Sequence, residues 1–497
     1  MKYISTRGKA ERLDSAEAII HGLAGDGGLF VPDEMPKVSM DFVEGLKGLS
    51  YEERAEKVLG LFLTDYTAGE LKSCVERAYG GGKFDHERRA PLTIFDDVSV
   101  LELWHGPTSA FKDMALQLLP QLMSTALRKT GEKDTVLILV ATSGDTGKAA
   151  LEGFRDVEQT KIMVFYPEGG VSKIQRLQML TQKGSNVNVT AVRGNFDDAQ
   201  SGVKAIFGDE AFGSKLAEHG VKLSSANSIN WGRLVPQIVY YFSAYADLLS
   251  AHRIQAGDEI DFCVPTGNFG DILAAFYAKC MGLPVHKLVC ASNVNNVLTD
   301  FLQTGVYNRK RDFFKTITPS MDILISSNLE RLLYHVTKDA AKVKAWMQQL
   351  SETGRYDVGA DVLGEIQKLF WAGYTDDAGT KAAIRRVYEA KRYVPDTHTA
   401  VAWDVAEQYR KATGDKHEMV VVSTASPYKF NASVLEALGE KIEGLDEFRL
   451  LDLLLEKSGH PIPAGLDSLR TAKELHKGVC EKDGMEAAVG KFIHHSM

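Results

Sequence analysis

From about residue 95 onward, short apolar runs alternate with helical stretches. This alternation is the strongest constraint on the fold. Residues 135–140 read Thr-Val-Leu-Ile-Leu-Val, as expected for a strand buried on both faces. Residues 161–166, 186–192, 259–264, 284–291 and 418–422 have the same character. Between them, 148–154, 172–182, 199–208, 234–250 and 271–281 carry helical patterns. The order predicts an α/β protein with a parallel sheet. Residues 1–95 follow a different grammar. A turn at Gly25-Asp26-Gly27-Gly28 leads into a short strand at 29–32, helical patterns follow at 40–49, 51–63 and 68–78, and Gly80-Gly81-Gly82 forms a joint. The segment from about 310 to 390 is more helical and more charged, as in an insertion or cover. A chain of 497 residues is too long for one core, so two or three domains are expected.

Composition narrows the function. The net charge of -8 argues against a nucleic-acid surface and means that an anionic ligand needs a local basic pocket. Cys74, Cys263, Cys280, Cys290 and Cys480 are scattered and form no CxxC pair, so neither a metal site nor a disulfide framework is indicated and a reducing cytoplasm fits. The N-terminus has no apolar signal segment, and no apolar run reaches the roughly 18 residues of a membrane span.

The chemistry gathers at predicted strand ends. Residues 105–113, His-Gly-Pro-Thr-Ser-Ala-Phe-Lys-Asp, lie between an apolar run at 98–104 and an amphipathic one at 114–127. Gly106-Pro107 predicts the turn, and Thr108 or Ser109 a cap for the next helix. Lys112 then falls in a first helical turn, where lost hydration lowers its pKa and makes a nucleophile or base. Taken alone, such a lysine is ordinarily a solvated one. Thr142-Ser143-Gly144-Asp145-Thr146-Gly147 follows the strand at 135–140. It is not a phosphate-binding P-loop, because Thr142 replaces the first glycine and Ala149 follows Lys148. Its spacing fits either a hydroxyl-rich ligand loop or an ordinary strand-to-helix turn.

Pro265-Thr266-Gly267-Asn268-Phe269-Gly270 opens a helix and predicts a phosphate cup of backbone N–H groups, with Asp271 a mild objection. Gly194-Asn195-Phe196 looks similar, but Asp197 and Asp198 already complement that helix start. Residues 420–427 end a strand in neutral hydroxyls. The loop 225–233 gathers Asn227, Ser228, Asn230 and Arg233, and arginine there can hold a phosphate bidentately.

Together these residues resemble the threonine synthase family of pyridoxal-phosphate enzymes, of the tryptophan-synthase-β type (fold type II). The likeness covers Ser5-Thr6-Arg7-Gly8, residues 26–32 and 105–113, Ser143 to Gly147, 225–233 and Gly267 to Gly270, in that order. No motif matches from about 310 to 390. The resemblance implies two parallel-sheet lobes with the cofactor between them. The domains expected are a small α+β unit at 1–95, a catalytic core at 96–430 with a helical insertion, and a helical region at 431–497. It further implies that Lys112 is the Schiff-base lysine. Gly267, Asn268, Phe269 and Gly270 would hold the cofactor phosphate, Thr424 would face the pyridine nitrogen, and Asp145 would contact the ring hydroxyl. Ser143, Thr146, Asn227, Ser228 and Arg233 would receive the substrate, O-phospho-L-homoserine, which would be converted with water to threonine and phosphate. The alternative is a phospho-lyase or dehydratase of the same fold that releases a 2-oxoacid. The sequence leaves the oligomeric state open.

Overall fold

The computed structural model describes residues 1–8, 12–142, 144–169 and 171–494. Among these residues two larger sheets form, of five and six strands. The continuous apolar run becomes the strand Thr135–Ala141, with Val136 to Val140 fully or almost fully buried. It lies inside the smaller sheet, whose order is Gly478–Glu481, Val187–Arg193, Thr160–Pro167, Thr135–Ala141, Val221–Ser224, all parallel. The larger sheet runs Phe370–Tyr374, Val285–Ser292, Ile260–Pro265, Glu418–Ser423, Ser99–Glu102, Leu92–Ile94. Its neighbours are parallel except for the last pair.

The six apolar runs each form a strand, with ends within a residue of the expected ones. Three departures have physical causes. The segment 310–390 is not only helical: Phe370–Tyr374 forms an edge of the larger sheet, and Val306–Asn308 pairs with Arg355–Asp357. Five residues between long charged helices leave little periodic signal. The C-terminal region likewise contributes the edge strand Gly478–Glu481, which is mostly exposed and so has no apolar run. The amphipathic stretch 114–127 divides into the helices Lys112–Leu116 and Leu119–Thr130. Pro120 has no N–H to offer the Leu116 carbonyl. That carbonyl lies against Gly153, where a Cβ would stand 1.8 Å from it, so only glycine lets the helix Asp145–Phe154 come this close to the Lys112 helix.

The N-terminal strands Tyr3–Ser5 and Phe30–Pro32 pair antiparallel. Asp26 accepts from Ser5 Oγ (2.6 Å) and the Gly28 N–H (2.9 Å), so the glycine-rich stretch is a turn satisfied by its own carboxylate. Apolar residues of the first 95 join the same buried cluster as the long helix Trp231–Ser250. Trp231 shows this directly, with its ring 5.2 Å from Tyr3, 5.6 Å from Phe62 and 5.6 Å from Tyr277. Arg7 and Thr6 bind Glu330 at 2.6–2.9 Å, tying this segment to the helix Leu329–Thr337. No helix among the described residues is long and apolar enough to cross a membrane.

This topology collects the chemical loops. Residues 103–111, 424–426 and 266–269 leave the C-terminal ends of three adjacent parallel strands of the larger sheet. Thr142 and residues 225–230 follow the same ends of two adjacent strands of the smaller one. Ligand crevices of open α/β sheets form outside such ends.

Candidate active site

The loop before Lys112 is held from both sides. His105 Nδ1 lies 2.6 Å from Asp85 and Nε2 2.9 Å from Glu102. Burial opposes its charge, but the two carboxylates outweigh burial and raise its pKa to about 9. A histidine raised in the folded state contributes stability that is complete below its ordinary pKa of 6.5 and lost as pH rises through about 9. His105→Gln should therefore flatten the decline of Tm between those pH values, removing about 2 kcal/mol of pH-dependent stability; Asp85, 54% exposed, contributes little of it. A decline unchanged in the variant would refute the assignment.

The expected hydroxyl cap is not formed. Neither Thr108 nor Ser109 caps the helix; Phe111 occupies that position without a side-chain bond, and Ser109 takes a positive φ of 61°. Instead Asp113 folds back and accepts from the Thr108 N–H (2.8 Å) and Oγ1 (2.7 Å). Gly106 permits this, since a Cβ there would stand 2.5 Å from Asp113 Cβ. Burial raises the Asp113 carboxyl to about 6, against the Thr108 bonds.

Backbone pairing then sets Lys112 beside Thr424. The Phe111 N–H donates to the Thr424 carbonyl (2.8 Å), and the Ser426 N–H to that of Ser109 (3.0 Å). Lys112 keeps some accessible surface, while its amine lies deep among protein atoms. Burial lowers its pKa to about 8; Asp145 resists the shift, and the positive charges of Arg233 and Lys429 add to it.

Lys429 was not read from the sequence. Its amine meets Asp145 at 2.9 Å, with the two side chains 1% and 4% exposed. It also donates to Gln178 Oε1 (2.9 Å) and the Thr108 carbonyl (3.2 Å). Burial works against the Asp145 charge, yet Lys429 and Lys112 hold its pKa down to about 2. Lys429→Met leaves that carboxylate without its direct partner and should destabilise the fold by about 3–5 kcal/mol. Adding Asp145→Asn should recover much of the loss, as chemical denaturation will measure; equal loss in single and double variants would contradict the pairing.

Thr142 organises the loop after Thr135–Ala141, its Oγ1 accepting from Gly144 N and Gly147 N at 3.0 Å each. Thr146 is half-buried in the first turn of the helix Asp145–Phe154. Ser143 lies outside the described residues.

The glycine cup opens the helix Gly270–Met281, whose N-cap Phe269 adopts φ 64° and supplies no side-chain cap. At Gly267 a Cβ would stand 2.5 Å from the Ser320 carbonyl, so glycine is required. Asp271 is turned away from the cup. Tyr240 and Tyr241 donate to it at 2.5 and 2.6 Å, and burial raises it to about 6 despite them. The anticipated repulsion of a phosphate is thereby weakened. Asn328 stands over the cup. Its N–H donates to the Asn268 carbonyl (3.0 Å), while its side-chain Nδ2 is buried without a partner among the described residues and lies 3.5 Å from where a Gly270 Cβ would be. The other helix start with a similar sequence is closed: Asn195 and Asp198 cap each other's N–H groups at 2.9 and 3.0 Å.

The loop 225–233 abuts the cup, since Ser228 Cβ would stand 3.7 Å from a Gly270 Cβ. Asn227 is exposed and Ser228 half-buried. Arg233 is 6% exposed and donates to the Ala226 carbonyl (2.9 Å). It has no carboxylate partner among the described residues, and burial lowers its pKa to about 10. A buried guanidinium without a counter-charge, close enough to depress the Lys112 amine, is suited to an anion. Arg331 fixes the loop from behind by donating to the Ser228 and Ile229 carbonyls. The arrangement thus offers an amine titrating near neutrality, an uncapped helix start for one phosphate, and a separate guanidinium for another.

Comparison with known proteins identifies the family. Residues 2–79 match the family model "Threonine synthase N terminus", 96–425 "Pyridoxal-phosphate dependent enzyme", and 399–484 "Threonine synthase, C-terminal". Threonine synthase-like 1 of Macaca fascicularis is 41% identical over 485 residues, covering 94% of this chain and 64% of its own length. The chain thus spans less than two thirds of that relative. Threonine synthase of Pseudomonas aeruginosa is 40% identical, covering 88% of this chain and 90% of its own. The crystal structure of PLP-bound threonine synthase from Brucella melitensis superposes with a TM-score of 0.88 at 39% identity, covering 100% of this chain and 99% of that one. With its fold, its loop order and these matches in agreement, the chain belongs to the threonine synthase family of pyridoxal-phosphate-dependent enzymes.

Proposed function

We propose that the chain converts O-phospho-L-homoserine and water to L-threonine and phosphate, with pyridoxal phosphate bound between the two sheets. The observations that carry this reading are a glycine-rich helix start without a side-chain cap and, near the Lys112 amine, a buried guanidinium without a carboxylate partner among the described residues. A cofactor phosphate fits the cup by an independent mark, the buried and unpartnered Nδ2 of Asn328. When bound, the cofactor supplies an aldehyde that holds an amino group and a ring that accepts the electron pair left by a departing proton.

In this reading the backbone of Gly267, Asn268, Phe269 and Gly270 binds the cofactor phosphate and Asn328 Nδ2 completes the shell. Thr424 would offer the ring nitrogen a neutral hydroxyl, which would not enforce its protonation as a carboxylate would. Asp145, its charge balanced by Lys429, would serve the ring hydroxyl. Lys112 Nζ would hold the cofactor through its aldehyde and, when free, would be the base that takes the substrate's Cα proton and then a Cβ proton. Its lowered pKa of about 8 suits an amine that must both accept and release protons near neutrality. Arg233, with Asn227, Ser228, Ser143 and Thr146, holds the substrate phosphate until the Cγ–O bond breaks. Of the two protons taken, one would pass to Cγ, which becomes the methyl group of threonine, and one back to Cα, while water adds its hydroxyl at Cβ and its proton leaves on the phosphate.

Turnover in water labelled with oxygen-18 tests this. The label should enter the threonine hydroxyl and be absent from the released phosphate, because carbon–oxygen cleavage leaves the bridging oxygen on phosphorus. Label in phosphate with homoserine as co-product would identify a phosphatase and overturn the reading.

A further inference from the structure

Four side chains unused by that site meet at the opposite edge of the larger sheet. Asp261 stands near the start of Ile260–Pro265 and His286 near the start of Val285–Ser292. Asp415 and His417 lie in the loop that enters Glu418–Ser423. The parallel register produces the meeting, with Met419 opposite Asp261 and Val285 opposite Ile260. These are the N-terminal ends of three adjacent strands, whereas the loops described above leave the C-terminal ends.

One donor atom from each of the four lies within 4.8 Å of every other. His286 Nδ1 is 3.1 Å from Asp261 Oδ1 and 3.3 Å from Asp415 Oδ2. His417 Nδ1 is 3.0 Å from Asp415 Oδ1 and 3.1 Å from Oδ2. Bonds of about 2.0–2.1 Å from a tetrahedral metal give ligand–ligand edges of about 3.3 Å. The cluster is therefore near the size of a metal shell, needing some contraction and a turn of the two rings out of their 4.1 Å stack.

A second observation points to a cation. Asp261 is 0% exposed. Its Oδ1 accepts from the Lys287 N–H (2.8 Å) and meets His286, while its Oδ2 is buried without a hydrogen-bond donor assigned to it among the described residues, the Asp261 carboxyl lying against Asp415 and Tyr409. A carboxylate oxygen in that position is costly, and the neighbouring Asp415 oxygens are acceptors too. The Asp415 side chain is itself fixed, accepting from the His417 N–H at 2.8 Å. A cavity of about 450 Å³, lined among others by His286, Trp371, Tyr409 and Asp415, leads from solvent to the cluster.

We propose that Asp261, His286, Asp415 and His417 bind one divalent transition-metal ion, zinc being the best match. Two imidazoles and two carboxylates suit zinc and make a neutral site, whereas calcium and magnesium prefer more oxygen ligands. Four protein ligands close the shell, so the ion is structural. It staples three segments together, including the loop into the strand that ends at Thr424. Binding requires neutral imidazoles and releases their protons.

The test uses the full-length protein loaded with pyridoxal phosphate, stripped with chelator and titrated with zinc chloride. One zinc per chain should survive gel filtration, and Tm should rise by about 3 °C at zinc 100-fold above Kd. His286→Asn combined with His417→Asn should lose the bound zinc. Cobalt in the unaltered protein supplies a second reading that does not depend on how that variant folds: X-ray absorption should report a four-coordinate nitrogen and oxygen shell. Turnover should be the same with and without zinc. Absence of stoichiometric zinc at micromolar concentration, unchanged zinc in the double variant, or sulfur ligation from a cysteine would each overturn the proposal.

Discussion

Lys112→Ala lowers kcat by at least about 10⁴-fold, the upper range for loss of a positioned acid–base group and here combined with loss of a covalent anchor. The residue sits where its amine is deep, its charge is opposed by burial, and Arg233 and Lys429 push its pKa down to about 8. In the proposed reaction this one amine takes the Cα proton and then the Cβ proton. The variant should still take up pyridoxal phosphate, since the glycine cup and Asn328 lie on other segments. Its absorbance band should no longer be fixed by borohydride, whereas in the parent the reduced pyridoxyl group should map to Lys112. Uptake of cofactor by the apoprotein should follow the free amine, rising about tenfold per pH unit below 8 and levelling above it. Label on another lysine, or a variant with near-normal turnover, would refute the assignment.

Arg233→Ala should lower kcat/KM for O-phosphohomoserine by about 30-fold to several-thousand-fold. That range corresponds to about 2–5 kcal/mol for truncating a buried, charge-assisted contact. The guanidinium is 6% exposed and bound only by the Ala226 carbonyl among the hydrogen bonds of the described residues. Its charge is thus uncommitted in a chain of net charge -8. The cofactor spectrum should be retained, and free phosphate should inhibit the variant less. Removing the positive charge should also move the pH midpoint of cofactor uptake upward, because Arg233 lowers the Lys112 pKa. Arg233→Lys should restore only part of the loss, as an ammonium cannot bind bidentately. A variant that sheds cofactor while its remaining holoenzyme keeps normal kinetics would place Arg233 in the cofactor site instead.

Much of this arrangement was legible because its pieces are local. Lys112, the glycine cup, Thr424 and the loop 225–233 each follow a strand whose apolar run is unmistakable, and parallel topology then brings strand ends together. What depends on distant partners was not legible. Asp145 carries its charge against Lys429, and nothing near either residue announces the other. Asn328 reaches the cup from a stretch without a recognisable motif. The edge strand Gly478–Glu481 lacked the apolar pattern because an edge leaves its side chains in water. The capping of Lys112's helix was misread for a related reason: Asp113, five residues beyond Thr108, takes the bonds that a local cap would have made.

The most direct measurement incubates the holoenzyme with O-phosphohomoserine and follows phosphate, threonine and 2-oxobutyrate together. Phosphate and threonine should appear in equal amounts, with 2-oxobutyrate negligible, and Lys112→Ala should abolish both. Phosphate matched by 2-oxobutyrate instead of threonine would make the chain a phospho-lyase of the same fold, and no phosphate release at all would contradict the account.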